Sequence, residues 1–302
     1  MPEIEIRPRG RFSLAAAQSF AGGFPAGIGG GGVGKDSITL AFPVEGTDES
    51  AAIELWQDAD GTVRGRSDAS GPLLARAQRQ AERSLSLDHD GSGWPAVGER
   101  DAIVGRFQRE HDFLRPVCFY SAYEAVTSFV IGQRISRRQS AVIKKDLAER
   151  LGDRPTIAGT PVPAFPRPSR LLELRDARGL NDEKVRRLHG LAQAALDGRL
   201  DTEELRSLPA DQALARLREL PGVGPFTADA VLYRGCGVAD GLPNTDQMGQ
   251  TVVKDLYGLE SASAVDVERI AEAWKPYRMW AVVLLRMAWT RAQGPNVSYR
   301  RR

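Results

Sequence analysis

The sequence predicts an α+β unit over residues 1–100, an antiparallel sheet with helices, followed by an all-α unit over 101–302. Three observations predict this. Short alternating segments separated by turn signals are confined to the first seventy or so residues. From about residue 100 onward apolar residues recur at helical spacing almost throughout. The chain has 302 residues, 42% hydrophobic and 26% charged, enough to bury a substantial core in one large or two modest domains.

Taken in order, Ile4-Glu5-Ile6-Arg7 alternates as a strand does, and 13–20 reads as a helix. Strands are expected at 38–42 and 52–56, with Asp58-Ala59-Asp60-Gly61 turning the chain into Thr62-Val63-Arg64. Residues 72–87 have helical spacing. Between the first helix and the second strand, Gly29-Gly30-Gly31-Gly32-Val33-Gly34-Lys35-Asp36 nearly spells a phosphate-binding loop. Asp36 stands where Ser or Thr must ligate magnesium, and a strand-like Ser37-Ile38-Thr39-Leu40 follows instead of a helix. The stretch therefore reads as a connection, not a nucleotide site.

In the second unit, 123–131 forms one apolar-periodic helix. A second runs over 136–151, with Ser136 as N-cap and Val142, Ile143, Leu147 and Leu151 on one face. The proline-dense 155–168 must be a connection, and another helix starts at Pro168. Residues 182–196 are amphipathic and 203–208 make a short helix. Leu214, Leu217 and Leu220 mark a helix ending at Pro221, and a further helix opens at Gly224. Residues 247–257 and one long final helix, from Val265 or later through Trp289, complete the unit. The tail Tyr299-Arg300-Arg301-Arg302 reads as solvated, and no internal repeat is seen.

Net charge is +2, so any phosphate contact must come from a local patch. Two cysteines, Cys118 and Cys236, exclude a four-cysteine iron–sulfur cluster or cysteine-rich zinc site built by this chain alone, and fit a reducing setting. Of 41 basic residues only six are Lys (Lys35, Lys144, Lys145, Lys184, Lys254 and Lys275), so amine nucleophiles are scarce. With no apolar signal region at Met1–Ile6 and no apolar run of transmembrane length, a soluble, cytoplasmic protein is expected.

The chemistry centres on Leu220-Pro221-Gly222-Val223-Gly224-Pro225-Phe226-Thr227-Ala228-Asp229-Ala230. Two helices joined by Gly-x-Gly leave backbone N–H groups at the second helix's start, and glycine lets a phosphate approach them. A ligand-free αα-hairpin satisfies the same pattern. Asp246 follows Gly224 by 22 positions, in Leu242-Pro243-Asn244-Thr245-Asp246-Gln247-Met248-Gly249, at the first turn of a predicted helix. There it should stay ionised, although an N-capping Asp looks the same.

Hairpin, proline-containing loop and Asp at a helix start together resemble the helix-hairpin-helix (HhH-GPD) superfamily of DNA glycosylases. Within it the chain is most similar to the 3-methyladenine DNA glycosylase II (AlkA-type) branch. Phe129-Val130-Ile131-Gly132-Gln133-Arg134-Ile135-Ser136 resembles the family's segment inserted into the duplex. Ala271-Glu272-Ala273-Trp274-Lys275-Pro276-Tyr277-Arg278 resembles its C-terminal signature. The resemblance covers essentially the chain, strongly from 120 to 290 and loosely before 100.

The resemblance implies a monofunctional N-glycosylase of base excision repair, flipping and excising alkylated purines, with deaminated purines as a second class. Asp246 would be the catalytic carboxylate, stabilising an oxocarbenium-like sugar or orienting water. Gly222, Val223 and Gly224 amides with Thr227 would anchor phosphates, and Gln133 and Arg134 would contact DNA, Arg134 at the wedge position. Phe226, Gln247, Met248, Arg286 and Met287 would line the base pocket. A monovalent cation, Na+ or K+, would sit on the carbonyls of Arg218, Leu220 and Val223; no other cofactor and no iron–sulfur cluster is implied. The implied partner is double-stranded DNA containing a damaged base, met by a monomer. Bifunctional relatives place a Lys where this chain has Phe226, so no abasic-site lyase activity is expected.

The chain departs from the family at Ala230, Gln247, Arg286 and Met287, where relatives carry aromatic rings that stack on cationic bases. Trp280, Trp289, Tyr233 or Phe20 could fill in, or belong to the core. Arg286 would repel a cationic base, which favours a neutral substrate or an outward side chain. Arg134 replaces an often apolar wedge and could intercalate, bond the orphaned base or hold a phosphate. The alternative is a non-catalytic helix-hairpin-helix DNA-binding protein with a degraded base pocket; a lyase-type glycosylase for oxidised bases and an NTPase rank below it.

Overall fold

The computed structural model describes residues 1–21, 36–243 and 247–293. Strands β1 (Glu3–Ile6), β2 (Ser37–Pro43), β3 (Ser50–Gln57) and β4 (Val63–Ser67) form one antiparallel sheet in the order β1-β4-β3-β2. In β1 the isoleucines are buried and the glutamates exposed, the period-two pattern of a half-covered strand. The β3–β4 turn closes where Asp58 N–H donates to Thr62 O (2.9 Å) and Asp60 Oδ1 accepts Thr62 N–H (2.9 Å). Helices α1 (Leu14–Ala21) and α2 (Gly71–Ser84) cover the sheet, burying Leu14, Ala17, Ala77 and Ala81 with Leu40, Phe42, Ile53 and Leu55. The glycine run 29–35 lies outside the described residues; Asp36 is exposed and leads into β2.

Helices α3 (Trp94–Arg100), α4 (Ala102–Glu110), α5 (Ala122–Gly132) and α6 (Arg137–Leu151) follow, and the proline-rich connection carries only a two-stranded ribbon, β5 (Thr156–Ile157) and β6 (Thr160–Pro161). Then come α7 (Pro168–Leu171), α8 (Asp182–Leu196), α9 (Thr202–Ser207), α10 (Ala210–Arg218), α11 (Pro225–Ala230), α12 (Gln247–Tyr257), α13 (Ala264–Ala271) and α14 (Arg278–Ala292). Side chains start these helices as expected of polar caps: Ser136 and Gln139 make a reciprocal capping box on α6, and Asn181 and Asp201 cap α8 and α9.

Two expectations are corrected. Val142 is 63% exposed and not on the buried face of α6. That face is instead Ile143, Lys144, Leu147 and Ala148. The single long final helix is two, α13 and α14, separated by a 3-10 turn at Glu272–Trp274. Pro276 cannot donate a helical N–H and disfavours α geometry at Lys275. Trp274 is meanwhile anchored, its Nε1 donating to Asp101 Oδ2 at 2.8 Å.

The sheet unit is bolted to the helices through buried charge. Arg83, on α2 and 3% exposed, pairs with Glu45 and with Glu203 (2.8 Å) and donates to Tyr120 O (3.1 Å). Thr202, at the start of α9, donates to Glu45 and accepts Ala122 N–H at 3.1 Å. Val117 and Tyr120, from the connection before α5, pack into the sheet's core.

Two further buried ionisable groups lie inside the helical unit, Glu124 and Lys144. Glu124 on α5 accepts Tyr120 N–H at 2.9 Å, and burial pushes its carboxyl well above the usual range while Lys144 on α6 opposes the shift. Neutralising Glu124 removes the attraction that favours the charged Lys144 ammonium. Glu124→Gln is expected to cost about 1–3 kcal/mol in urea unfolding, the size of disturbing one buried hydrogen-bonded polar group.

Candidate functional site

Helix α10 ends at Arg218 with Leu214 and Leu217 buried. The chain then turns: Leu220 N–H donates to Leu217 O (3.2 Å) and Val223 N–H to Leu220 O (3.1 Å). The Val223 amide is thus used within the turn, and Val223 is buried. The Leu220 oxygen, which accepts the Val223 N–H, keeps a second lone pair. The two glycines differ. Gly222 has φ +78°, and a Cβ there would lie 2.8 Å from Arg187 Cδ, so its backbone requires glycine. Gly224 has φ −92° and ψ 179°, is exposed, and a Cβ would meet nothing within 4 Å. Pro225 opens α11 at the position where its missing N–H costs least. Thr227 is buried and Phe226 is exposed.

Beside the hairpin sits the α5–α6 connection. Gln133 is the C-cap of α5, and Arg134, exposed, adopts φ +59°, a left-handed conformation that costs a side-chain-bearing residue about 1 kcal/mol. Gln133 Nε2 donates to Gly222 O at 2.8 Å, tying this loop to the hairpin. Two cations of α8, not singled out by the sequence, hold the join. Arg187 Nη1 donates to Gln133 Oε1 (3.2 Å) and Nε to Glu183 Oε1 (2.9 Å). Lys184 Nζ donates to Ile131 O (2.8 Å) and Gln133 O (2.7 Å). Burial, then the neighbouring Arg134 and Arg187, hold the Lys184 ammonium below its usual range. The one sequence signal for Lys184 is a cation in the first turn of a helix, where the helix dipole disfavours it.

The expected base-pocket residues fall on three elements. Phe226 meets Phe129 edge-on (6.1 Å, 85°), and Phe129 in turn contacts Phe119 (5.6 Å). Gln247 is exposed and Met248 half-buried in the first turn of α12; Arg286 and Met287 are half-buried on α14. Trp289 Nε1 joins these two helices through Asp255 Oδ2 at 2.9 Å. Of the aromatics that could replace the missing rings, Trp280 is core, packed by Tyr277 (4.8 Å) and Trp94 (5.7 Å), and Tyr233 and Trp289 are buried. Phe20 is half-buried, with the Arg234 guanidinium 5.6 Å from its ring. Burial holds Arg234 below its usual range; Cys118 opposes this and Arg286 adds to it, so α1, Arg234 and α14 share one neighbourhood. Asp246, with Asn244 and Thr245, lies outside the described residues, which resume at Gln247, the first residue of α12.

No family model matches the chain. In sequence it is similar to DNA-3-methyladenine glycosylase 2 of Escherichia coli, 29% identical over 193 residues, covering 61% of this chain and 63% of that protein's length. It is also similar to DNA-3-methyladenine glycosylase of Bacillus subtilis, 25% identical over 207 residues, covering 67% of this chain and 68% of that one. In structure it resembles a 3-methyladenine DNA-glycosylase from Archaeoglobus fulgidus, with TM-score 0.75 and 20% identity over 98% of this chain and 100% of the other. It also resembles MBOgg1 in complex with a low-affinity DNA ligand, with TM-score 0.68 and 17% identity over 97% of each chain.

Proposed function

We propose that this chain, which has the fold of the helix-hairpin-helix DNA glycosylases and is similar in sequence to their 3-methyladenine branch, is a monofunctional DNA N-glycosylase. It would act as a monomer on double-stranded DNA, extruding and removing alkylated purines, with deaminated purines as a second class. The observation that carries this reading is the bond from Gln133 to Gly222 O. It joins two backbone loops into one face fringed by Arg134, Lys184 and Arg187, the local basic patch that a net charge of +2 requires.

On that face a phosphate can close on the first turn of α11, because Gly224 offers no Cβ to hold it away. A monovalent cation on the carbonyls of Arg218, Leu220 and Val223 would add positive charge facing the same strand. Arg134 would enter the stack as the target nucleotide leaves it, an extrusion that costs a few kcal/mol and less for a damaged base. Asp246 would then stand beside the extruded sugar, where a fixed anion lowers the energy of a developing oxocarbenium cation. An alkylated purine already carries positive charge, so it departs without a strong general acid.

Schiff-base chemistry needs an uncommitted amine at the hairpin, and on this reading the described residues there supply none. Phe226 occupies the position of the bifunctional relatives' Lys, and Lys184 on the same face holds its ammonium on two carbonyls. The test is chromatography of bases released from methylated and from deaminated duplex, with borohydride added in a parallel reaction. Released alkylpurine, an intact abasic strand and no trapped adduct are expected. A borohydride adduct would overturn the monofunctional assignment. Undiminished duplex affinity with no base released from any modified duplex would leave the non-catalytic binding protein, the reading that Ala230 and Arg286 favour.

A further inference from the structure

The α5–α6 connection has a backbone that its own residues do not favour. Arg134 occupies the left-handed position just past a helix C-cap, where glycine is commonest. An arginine kept there against backbone preference is kept for its side chain, and something outside the loop must hold the turn. Lys184 does so. Its ammonium leaves α8 and donates to Ile131 O and Gln133 O, carbonyls at the end of α5 where intrahelical donors run out. Gln133 then passes the constraint on through its amide to Gly222 O, while Arg187 donates to the same amide's oxygen. One ammonium thus fixes the loop that presents Arg134, and one side-chain amide fixes that loop to the hairpin.

We infer that Lys184 is a positioning residue for base extrusion, preorganising Arg134 so that insertion into the stack and the hairpin's grip advance as one body; this rests on the repair reading above. The competing role is a plain phosphate contact. Two of the three ammonium protons are committed to carbonyls, and the neighbouring Arg134, exposed where Lys184 is half-buried, is better placed as a cation for the DNA. Lys184 therefore acts through Arg134, and its loss should resemble the loss of that side chain.

The experiment uses the full chain with two duplexes. One carries a stable abasic-site analogue flanked by 2-aminopurine, whose fluorescence rises on unstacking; the other is methylated and reports base release at saturating enzyme. Lys184→Met is expected to bind the abasic duplex within about threefold of wild type with an unchanged salt slope. Its fluorescence rise and its single-turnover release should both fall by about tenfold or more, by analogy with other losses of preorganised geometry. Arg134→Gly, which keeps the backbone turn, should show the same defect, and the double variant should be no worse than Arg134→Gly alone. Lys184→Arg, which keeps donors for the two carbonyls, should recover most of the loss and covers the case of a misfolded Met variant. A salt slope reduced by about one with extrusion intact would make Lys184 a phosphate contact and overturn the inference, as would additive defects in the double variant. Wild type that releases no base defeats the repair reading alone, since the fluorescence arm still reports extrusion.

Discussion

Asp246→Asn is expected to release no measurable base while binding damaged duplex as tightly as wild type. The substitution keeps shape and hydrogen-bonding capacity and removes one negative charge. Towards the sugar, which is uncharged in the ground state, that charge becomes favourable only as the glycosidic bond breaks. An interaction made only in the transition state appears in the rate and not in affinity. A loss of about 10³-fold, on the order of 4 kcal/mol, is the size set by removing a single preorganised electrostatic contact. Single-turnover release from methylated duplex, with binding followed separately by fluorescence anisotropy, separates the two quantities. Release within tenfold of wild type would remove Asp246 from the chemistry.

The second large effect comes from treating the two hairpin glycines separately. Gly222→Ala puts a Cβ into a left-handed residue and within 2.8 Å of Arg187 Cδ, so it is expected to lower both thermal stability and DNA affinity. Gly224→Ala meets nothing and sits in an extended conformation open to any residue. It should leave unfolding within about 0.5 kcal/mol of wild type. If a phosphate lies against that position, the new methyl group pushes it away, and affinity should fall about tenfold, or about 1.4 kcal/mol. Calorimetry and anisotropy on the same two variants read this out. Gly224→Ala that binds as wild type would mean that no strand backbone approaches α11 there.

Much of this architecture was legible because it is local. Ser136 heads its helix with Gln139 three residues on, the period-two run of β1 buries its isoleucines, and the Gly-Val-Gly hairpin joins α10 to α11. What could not be read depends on contacts far apart in sequence. The α6 face was misassigned at Val142 because the pattern assumes that apolar residues are inside. Here Lys144 is buried, its charge acting on Glu124 twenty positions away, and Val142 is left in solvent. The single final helix passed over the break at Pro276, and nothing local shows the anchoring of Trp274 on Asp101, more than 170 residues upstream. Lys184 and Arg187 escaped notice for the same reason, since nothing in their own helix shows that their donors reach α5 and its C-cap. The motif resemblance at 220–230 pointed to the hairpin, and the pocket's departure from family aromatics was equally plain at Ala230 and Arg286.

Arg83 and its acidic partners mean that the helical half is not a self-sufficient fold awaiting an optional appendage. Cutting the chain ahead of α3 would unroof Val117 and Tyr120, leave Glu203 without Arg83, and expose Thr202, now buried against Glu45. Such a truncated protein would display a greasy flank prone to self-association. Any attempt to shrink this scaffold for use as a tool should begin by repainting that flank.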